Sequence, residues 1–262
     1  MSTDSGSPQV TADLPRVGFW RRLATLVIDC FVVILPFQAV AAILFAVTAG
    51  TVQMYNGFTT SHCEGATSIP QSLSPAPPHD ANVMQICRIS VFGATTGVLL
   101  TVGRVTKDGA VTTSVYQSYM LDANGDPVDG IAIDWIAGLA LLVYLVWMIS
   151  KTGKTVGDRL LGVKVLDTAR PEQSGVAVHR VVARYLAMGI GLVPGLVLLV
   201  YLRLTSDENA DAMFAGNFLQ WLMGALLIYG LWCLLLIVQI ARKKDPAYDR
   251  LAGTMVVRNR AL

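Results

Sequence analysis

The chain has 262 residues, of which 53% are hydrophobic and 15% charged, with a net charge of +2. A mean hydropathy of +0.54 and a charged fraction well below the roughly 25% of soluble domains exclude an ordinary water-soluble globule. The near-neutral balance says little by itself; the placement of Lys and Arg near the ends of long apolar runs says more.

Residues 1–17 are rich in Ser, Thr, Asp and Pro without periodicity, which predicts a disordered tail. A first apolar run covers 22–49, longer than the roughly 20 residues that cross about 30 Å of hydrocarbon. It exceeds the apolar core of about 7–15 residues in a cleaved signal peptide, so a retained span is expected. Pro36 marks a place for a kink. The run opens with GFWRRLATLVID (18–29), which puts Arg22 at the threshold and Asp29 inside. A charge within a span is costly and marks a functional or structural pairing.

Residues 50–130 change character. Ser, Pro, Asn and Gly dominate up to Asp80, and two Val/Thr/Tyr-rich stretches follow at 98–105 and 110–120, separated by the turn signal Lys107-Asp108-Gly109. A small β-rich insertion outside the membrane is expected. The stretch 89–105 is apolar enough to compete as a span, but Thr95, Thr96, Thr101, three glycines and flanking arginines favour strand. Reading it as a span would reverse the orientation of everything after it.

A second span is expected over 131–149, with Trp135 and Trp147 as interfacial anchors and Asp134 at its outer end. A basic loop occupies 150–177, and a third span covers 178–202, interrupted by GIGLVPG around Pro194. A short acidic turn with Asp207, Glu208 and Asp211 precedes a fourth span over 217–241, and a basic tail fills 242–262. The expected fold is an all-α transmembrane four-helix bundle, helices 2–4 lying within 131–241, with the β-rich extracytoplasmic insertion between helices 1 and 2.

Lys and Arg gather on one side: Arg16, Arg21 and Arg22 before the first span, Lys151, Lys154, Arg159, Lys164 and Arg170 in the basic loop, Arg180 and Arg184 after it, and Arg242, Lys243, Lys244, Arg250, Arg258 and Arg260 in the tail. The other side carries Arg88, Arg104, Lys107 and Arg203. The positive-inside rule then places both termini in the cytoplasm. Cys63 and Cys87 fall in the insertion. In an oxidising compartment they would pair; two free thiols in a reducing one are the alternative. Cys30 and Cys233 lie in apolar spans and read as small packing residues.

Arg22 and Asp29 are seven residues apart and share a helix face, separated by roughly 10 Å along the axis. Side chains lean toward the helix N-terminus, so a direct bond is not expected. Something must lie between: water, Thr25, or a cation such as Arg180 or Arg184, which are one turn apart at the start of the third span. Burial raises a carboxyl pKa and a nearby arginine lowers it, so Asp29 suits a proton or cation carrier. An ionic clasp between helices is the structural alternative.

In the loop KTGKTVGDRLLGVKVLD (151–167), Gly153-Lys154-Thr155 echoes a phosphate loop, but Met148 stands where its first glycine is required. Leu161, Val163 and Val165 alternate with Gly162, Lys164 and Leu166, which fits a short strand, an amphipathic segment on anionic lipid or a plain topogenic loop. In the tail, Asp245-Pro246 breaks the helix and Met255-Val256-Val257 signals a second strand. Pairing of the two strands would bring Asp249, and Arg250 beside it, toward Arg22. The stretch DANGDPVDG (122–130) matches the first ligands of a calcium loop, yet Pro127 and Ile133 occupy the essential Gly and Glu positions, so a turn is expected. His62, His79 and His179 are scattered. No enzymatic activity, cofactor, metal site or nucleic-acid surface is expected.

GFWRRLATLVID, GKTVGDRLLGVKVLD and AYDRLAGTMVV, in that order, resemble the RDD family, named for one arginine and two aspartates. The resemblance places the arginine on Arg22, the first aspartate on Asp29 and the second on Asp249. It covers the first span and everything from the second span onward. Asp158 stands where many members carry a basic residue, and the 50–130 insertion is longer than the family's usual loop. The resemblance implies a multi-pass protein of a bacterial inner membrane, in contact with lipid, that transports a small ligand or exchanges a monovalent cation for protons. The alternative it leaves is a scaffold whose charge cluster is structural. A homo-oligomer or a partner membrane protein is expected in either case.

Overall fold

The structure is a computed structural model that describes residues 14–66, 73–109, 111–205 and 216–258. The start of the N-terminal tail, the acidic turn with Asp207, Glu208 and Asp211, and Arg260 lie outside the described residues. Two compact units emerge. One comprises the described residues up to Asp29 together with those from Tyr144 onward. The other is Cys30–Val143.

In chain order, helix α1 is Phe19–Val47 and is followed by strands β1 (Val52–Gln53), β2 (Thr60–Gly65), β3 (Val83–Val91), β4 (Ala94–Asp108), β5 (Val111–Met120) and β6 (Ile131–Ala132). Helix α2 (Asp134–Thr152), the short α3 (Val156–Leu160), strand β7 (Val163–Asp167) and helix α4 (Val178–Met188) come next. Helices α5 (Val193–Thr205), α6 (Gly216–Ala241) and α7 (Ala247–Ala252) and strand β8 (Thr254–Arg258) complete the order.

Among the described residues, α1, α2 and the Phe218–Ala241 part of α6 are each long and apolar enough to cross a membrane. Val178–Met188 and Ile190–Tyr201 meet at a bend of 43° and together meet the same test, giving up to four candidate spans. Their side chains are widely exposed, Trp135, Trp147, Leu196, Leu227 and Leu234 among them, as lipid-facing helices require. The third span breaks within GIGLVPG, at its first residues rather than at Pro194. Helix α4 stops at Met188, Gly189 ends it, and a 3-10 turn over Ile190–Leu192 leads into α5. Pro194 falls in the first turn of α5, where its missing N–H leaves no bond unmade. A Cβ on Gly191 would meet the Trp232 side chain at 2.7 Å, so glycine lets the turn approach α6.

The chain holds more sheet than an all-α description allows. In the Cys30–Val143 unit, β2-β3-β4-β5 form an antiparallel sheet. The stretch 89–105 lies in β3 and β4, not in a helix. Val98, Leu100, Val102, Tyr119 and Leu121 form its core with Phe45 of α1. Gly109, at φ +58°, follows β4, the turn signalled by Lys107-Asp108-Gly109. Cys63 and Cys87 face each other across β2 and β3 and form a disulfide. Asp122 accepts from the N–H groups of Asn124 and Asp126 at 2.8 and 2.9 Å, the expected turn rather than a calcium loop. Buried Gln53 holds β1 in place: its amide donates to Gly50 and Leu121 carbonyls and accepts from Val98 N–H. Asp134 accepts from the N–H groups of Tyr55 and Asn56 at 2.9 and 2.7 Å, so its charge is spent on a loop rather than on water alone.

In the other unit, β7 and β8 pair antiparallel, with Val165 opposite Val256. Residues 15–17, expected within a disordered tail, run along the other edge of β8: Val17 N–H donates to Val256 and Arg258 N–H donates to Pro15. The unpaired edge of β8 offers backbone groups that need partners, and this segment supplies them. Val17, Ile149, Val163, Val165, Val176, Val181 and Val256 form the core beneath.

Candidate functional site

Arg22 leaves α1 in its first turn, and Arg184 lies midway along α4. Both reach the short helix α7. Arg22 Nη1 is 2.8 Å from Asp249 Oδ2, and Arg184 Nε is 3.1 Å from Asp249 Oδ1. Asp249 is 0% exposed and also accepts from the Thr254 hydroxyl at 3.0 Å. Gly253, in the left-handed region at φ +65°, ends α7 and turns the chain into β8, which is how Thr254 comes back beside Asp249. The Tyr248 hydroxyl accepts from Arg22 Nη1 at 3.3 Å, and the Arg184 guanidinium lies 5.5 Å from the centre of its ring.

Asp29 is not part of this ion-pair triad. Its Oδ1 accepts from the Tyr144 hydroxyl at 3.0 Å and from the Gly157 N–H at 2.9 Å. The Tyr144 hydroxyl in turn accepts from Val156 N–H at 2.9 Å. Thus Asp29 ties α1 to α2 and to the start of α3. Gly157 is required at this point, since a Cβ there would run into the Thr25 carbonyl. Thr155 caps α3 by accepting from Asp158 N–H, while Asp158 Oδ2 accepts from Thr155 N–H. Asp158 is buried by this arrangement. Burial pushes its carboxyl pKa up, and the nearby Asp29 adds to the effect. The Thr155 N–H and the Arg184 charge oppose it without cancelling it.

A cavity of about 190 Å³ opens among these groups, with Arg22, Asp29, Thr155, Asp158, Arg184 and Tyr185 in its lining. Nη2 of Arg22 and Nη1 of Arg184 are buried without a hydrogen-bond partner among the described residues. Such orphaned donors are costly, and the volume admits water to serve them. Asp29 Oδ2 accepts no hydrogen bond among the described residues, while Oδ1 is fully engaged.

The separation of Arg22 from Asp29 is as expected, but the groups expected to bond Asp29 make their bonds elsewhere. Thr25 turns its hydroxyl to the Arg22 carbonyl at 2.8 Å. Arg184 serves Asp249. Arg180 pairs with Asp167 at the end of β7 and donates to the Gly253 carbonyl. Arg250 is exposed and enters none of these pairs. Sequence reasoning overlooked Tyr144, Gly157 and Asp158 as members, and Asp167 as the partner of Arg180. The T-x-x-D spacing of Thr155 and Asp158 is a capping-box signal that would have located the start of α3. The lone hydroxyl of Tyr144 within an apolar span is a weaker pointer.

The family model described as RDD family matches residues 16–253. The match takes in Arg22, Asp29 and Asp249 and the insertion between the first two candidate spans. No curated protein matches the chain, and no solved structure does. The ordered motifs, the apolar helices and a family match over most of the chain lead to one conclusion: this membrane protein belongs to the RDD family.

Proposed function

We propose that the protein exchanges a monovalent cation for a proton at the cavity beside Asp29. One observation carries this reading: three buried carboxylates, Asp29, Asp158 and Asp249, share the cluster with two guanidiniums, Arg22 and Arg184. With all five ionised, one negative charge is left over. A lone charge away from water is expensive, and either one proton or one monovalent cation neutralises it. Competition of the two for one charge is the elementary requirement of exchange. An added anion would worsen the balance.

In this reading Asp158 carries the proton, because burial already favours its neutral form. Asp29, with Oδ2 free of donors among the described residues, is the cation ligand. The Arg22–Asp249–Arg184 triad holds both guanidiniums away from Asp29 and gates the mouth. The chain crosses a bacterial inner membrane four times in this reading, the bent helix pair counting as one span, with both termini cytoplasmic. The Lys and Arg distribution supports that orientation. A homo-oligomer would enclose the path, since four spans are few.

The test is purified protein in liposomes with an internal pH dye. Imposed Na⁺ or K⁺ gradients are expected to drive proton flux that Asp29→Asn and Asp158→Asn abolish while the protein stays folded. A second reading, a non-transporting scaffold or assembly partner, is favoured by the complete commitment of Asp249 to two arginines and Thr254. Absence of flux under any gradient, with Asp29→Asn unfolded, would select it.

A further inference from the structure

The cytoplasm-facing end of α6, in the orientation proposed above, carries a second feature that the charge cluster does not use. A groove of about 930 Å³ is lined by Arg16, Arg242, Lys243, Lys244 and Arg250, with Asp245 as its one acidic residue. Three parts of the chain meet there: the segment along β8, the end of α6 with the turn after it, and α7. Asp245 pairs with Arg16 at 3.0 Å, which fixes one wall. Arg242, Lys243, Lys244 and Arg250 are exposed and have no ion-pair partner among the described residues.

The other wall is apolar. Leu231, Leu234, Leu235 and Val238 line the groove. Their spacing of three, four and seven residues puts them on one face of α6, and all four are exposed. From Leu231 to Arg242 the helix rises roughly 16 Å, close to half of a hydrocarbon core about 30 Å thick. An apolar stripe one leaflet deep therefore runs into a cluster of unpaired cations. A phospholipid has this shape and polarity: acyl chain along the stripe, phosphate at the basic end.

We propose that this groove is a binding site for an anionic phospholipid. Its headgroup phosphate contacts Arg242, Lys243, Lys244 and Arg250, and one acyl chain lies along Leu231–Leu234–Leu235–Val238. The excess of positive charge selects anionic over zwitterionic lipid, and the apolar stripe selects a lipid over a free phosphate ester. Bound there, the lipid would join α6, the segment holding Arg16 and α7, the helix that carries Asp249.

The experiment is native mass spectrometry of the full-length protein in detergent, titrated with phosphatidylglycerol, phosphatidylcholine or glycerol phosphate. Wild type is expected to retain phosphatidylglycerol and not the other two. Each basic side chain near an anionic lipid contributes about fivefold in affinity, so the triple variant Arg242→Gln/Lys243→Gln/Lys244→Gln should bind on the order of 100-fold more weakly. The variant Lys243→Arg/Lys244→Arg, which keeps the charge, should bind as wild type does and separates lost affinity from lost folding. Leu231→Ser/Leu235→Ser should weaken retention of the lipid with all cations in place. Equal retention of phosphatidylcholine, unchanged phosphatidylglycerol binding by the Gln variant, or glycerol phosphate binding as tight as that of the lipid would each overturn the proposal.

Discussion

Arg22 and Asp249 are 227 residues apart in the chain and joined by a 2.8 Å ion pair. The carboxylate is wholly buried and its other oxygen is held by Arg184. Replacing Asp249 by Asn leaves two buried guanidiniums without their directly bonded carboxylate. Breaking a buried pair by removing one partner costs about 3–5 kcal/mol. The expected outcome is a large loss of thermal stability in detergent, partly recovered when Arg22→Met is added, because one orphaned charge is then gone. An Asp249→Asn protein that melts with the wild type would show that the triad does not hold α1, α4 and α7 together.

The Tyr144 hydroxyl and the Gly157 N–H meet on one oxygen of Asp29. Tyr144→Phe removes a donor to Asp29 and an acceptor for Val156 N–H, a change worth about 1–3 kcal/mol. Gly157→Ala forces a methyl group into the Thr25 carbonyl, and overpacking of this kind costs about 1–3 kcal/mol. Hydrogen exchange should report both as faster exchange in α3 and the start of α1. Unchanged protection there would place the coupling of these elements elsewhere.

Burial holds the Asp158 carboxyl above its ordinary value of 3.8. From 3.8 up to that raised value the folded state binds more protons than the unfolded chain, so stability falls as pH rises through the window and is greater on its acid side. Asp158→Asn keeps an oxygen for Thr155 N–H and removes the titration. Its melting temperature near neutral pH should equal or exceed that of wild type, with a flatter dependence from about pH 4 upward. Melting curves across that range check it; a steeper dependence in the variant would be the opposite of what burial predicts.

The Cys63–Cys87 disulfide closes a sequence separation of 24 residues and joins β3 to β2, an edge strand with every residue exposed. Loop-closure entropy of that size contributes on the order of 3 kcal/mol. Cys63→Ser/Cys87→Ser should therefore leave β3, β4 and β5 protected from hydrogen exchange and expose β2. Alkylation of intact cells gives the compartment: thiols blocked without reduction fit an insertion outside the cytoplasm, and free thiols would reverse the orientation.

Much of this arrangement was legible in the chain because local pattern and long-range need agreed. Alternation in 161–166 and in Met255-Val256-Val257 pointed to two strands, and β7 and β8 do pair. Their pairing brings Asp249 to Arg22, as the expected strand pair implied. The partners of Asp29 were less accessible to pattern. One is a backbone N–H, which has no residue identity to read, and access to it depends on Gly157 packing on Thr25. Arg180 looked equivalent to Arg184 one turn away, yet Asp167 at the end of β7 captures it. Composition alone suggested disorder up to residue 17, but the last residues of that stretch pair with β8 because a free strand edge is there to be met.

The central claim is that one negative charge at the Asp29–Asp158 cavity is shared between a proton and a monovalent cation. The direct measurement is proton release when Na⁺ or K⁺ is added to the purified protein in weakly buffered detergent solution containing a pH indicator, with cation binding followed in parallel. The account predicts one proton released for each cation bound, and release lost in Asp158→Asn. Cation binding without proton release, or release unchanged in Asp158→Asn, would contradict it.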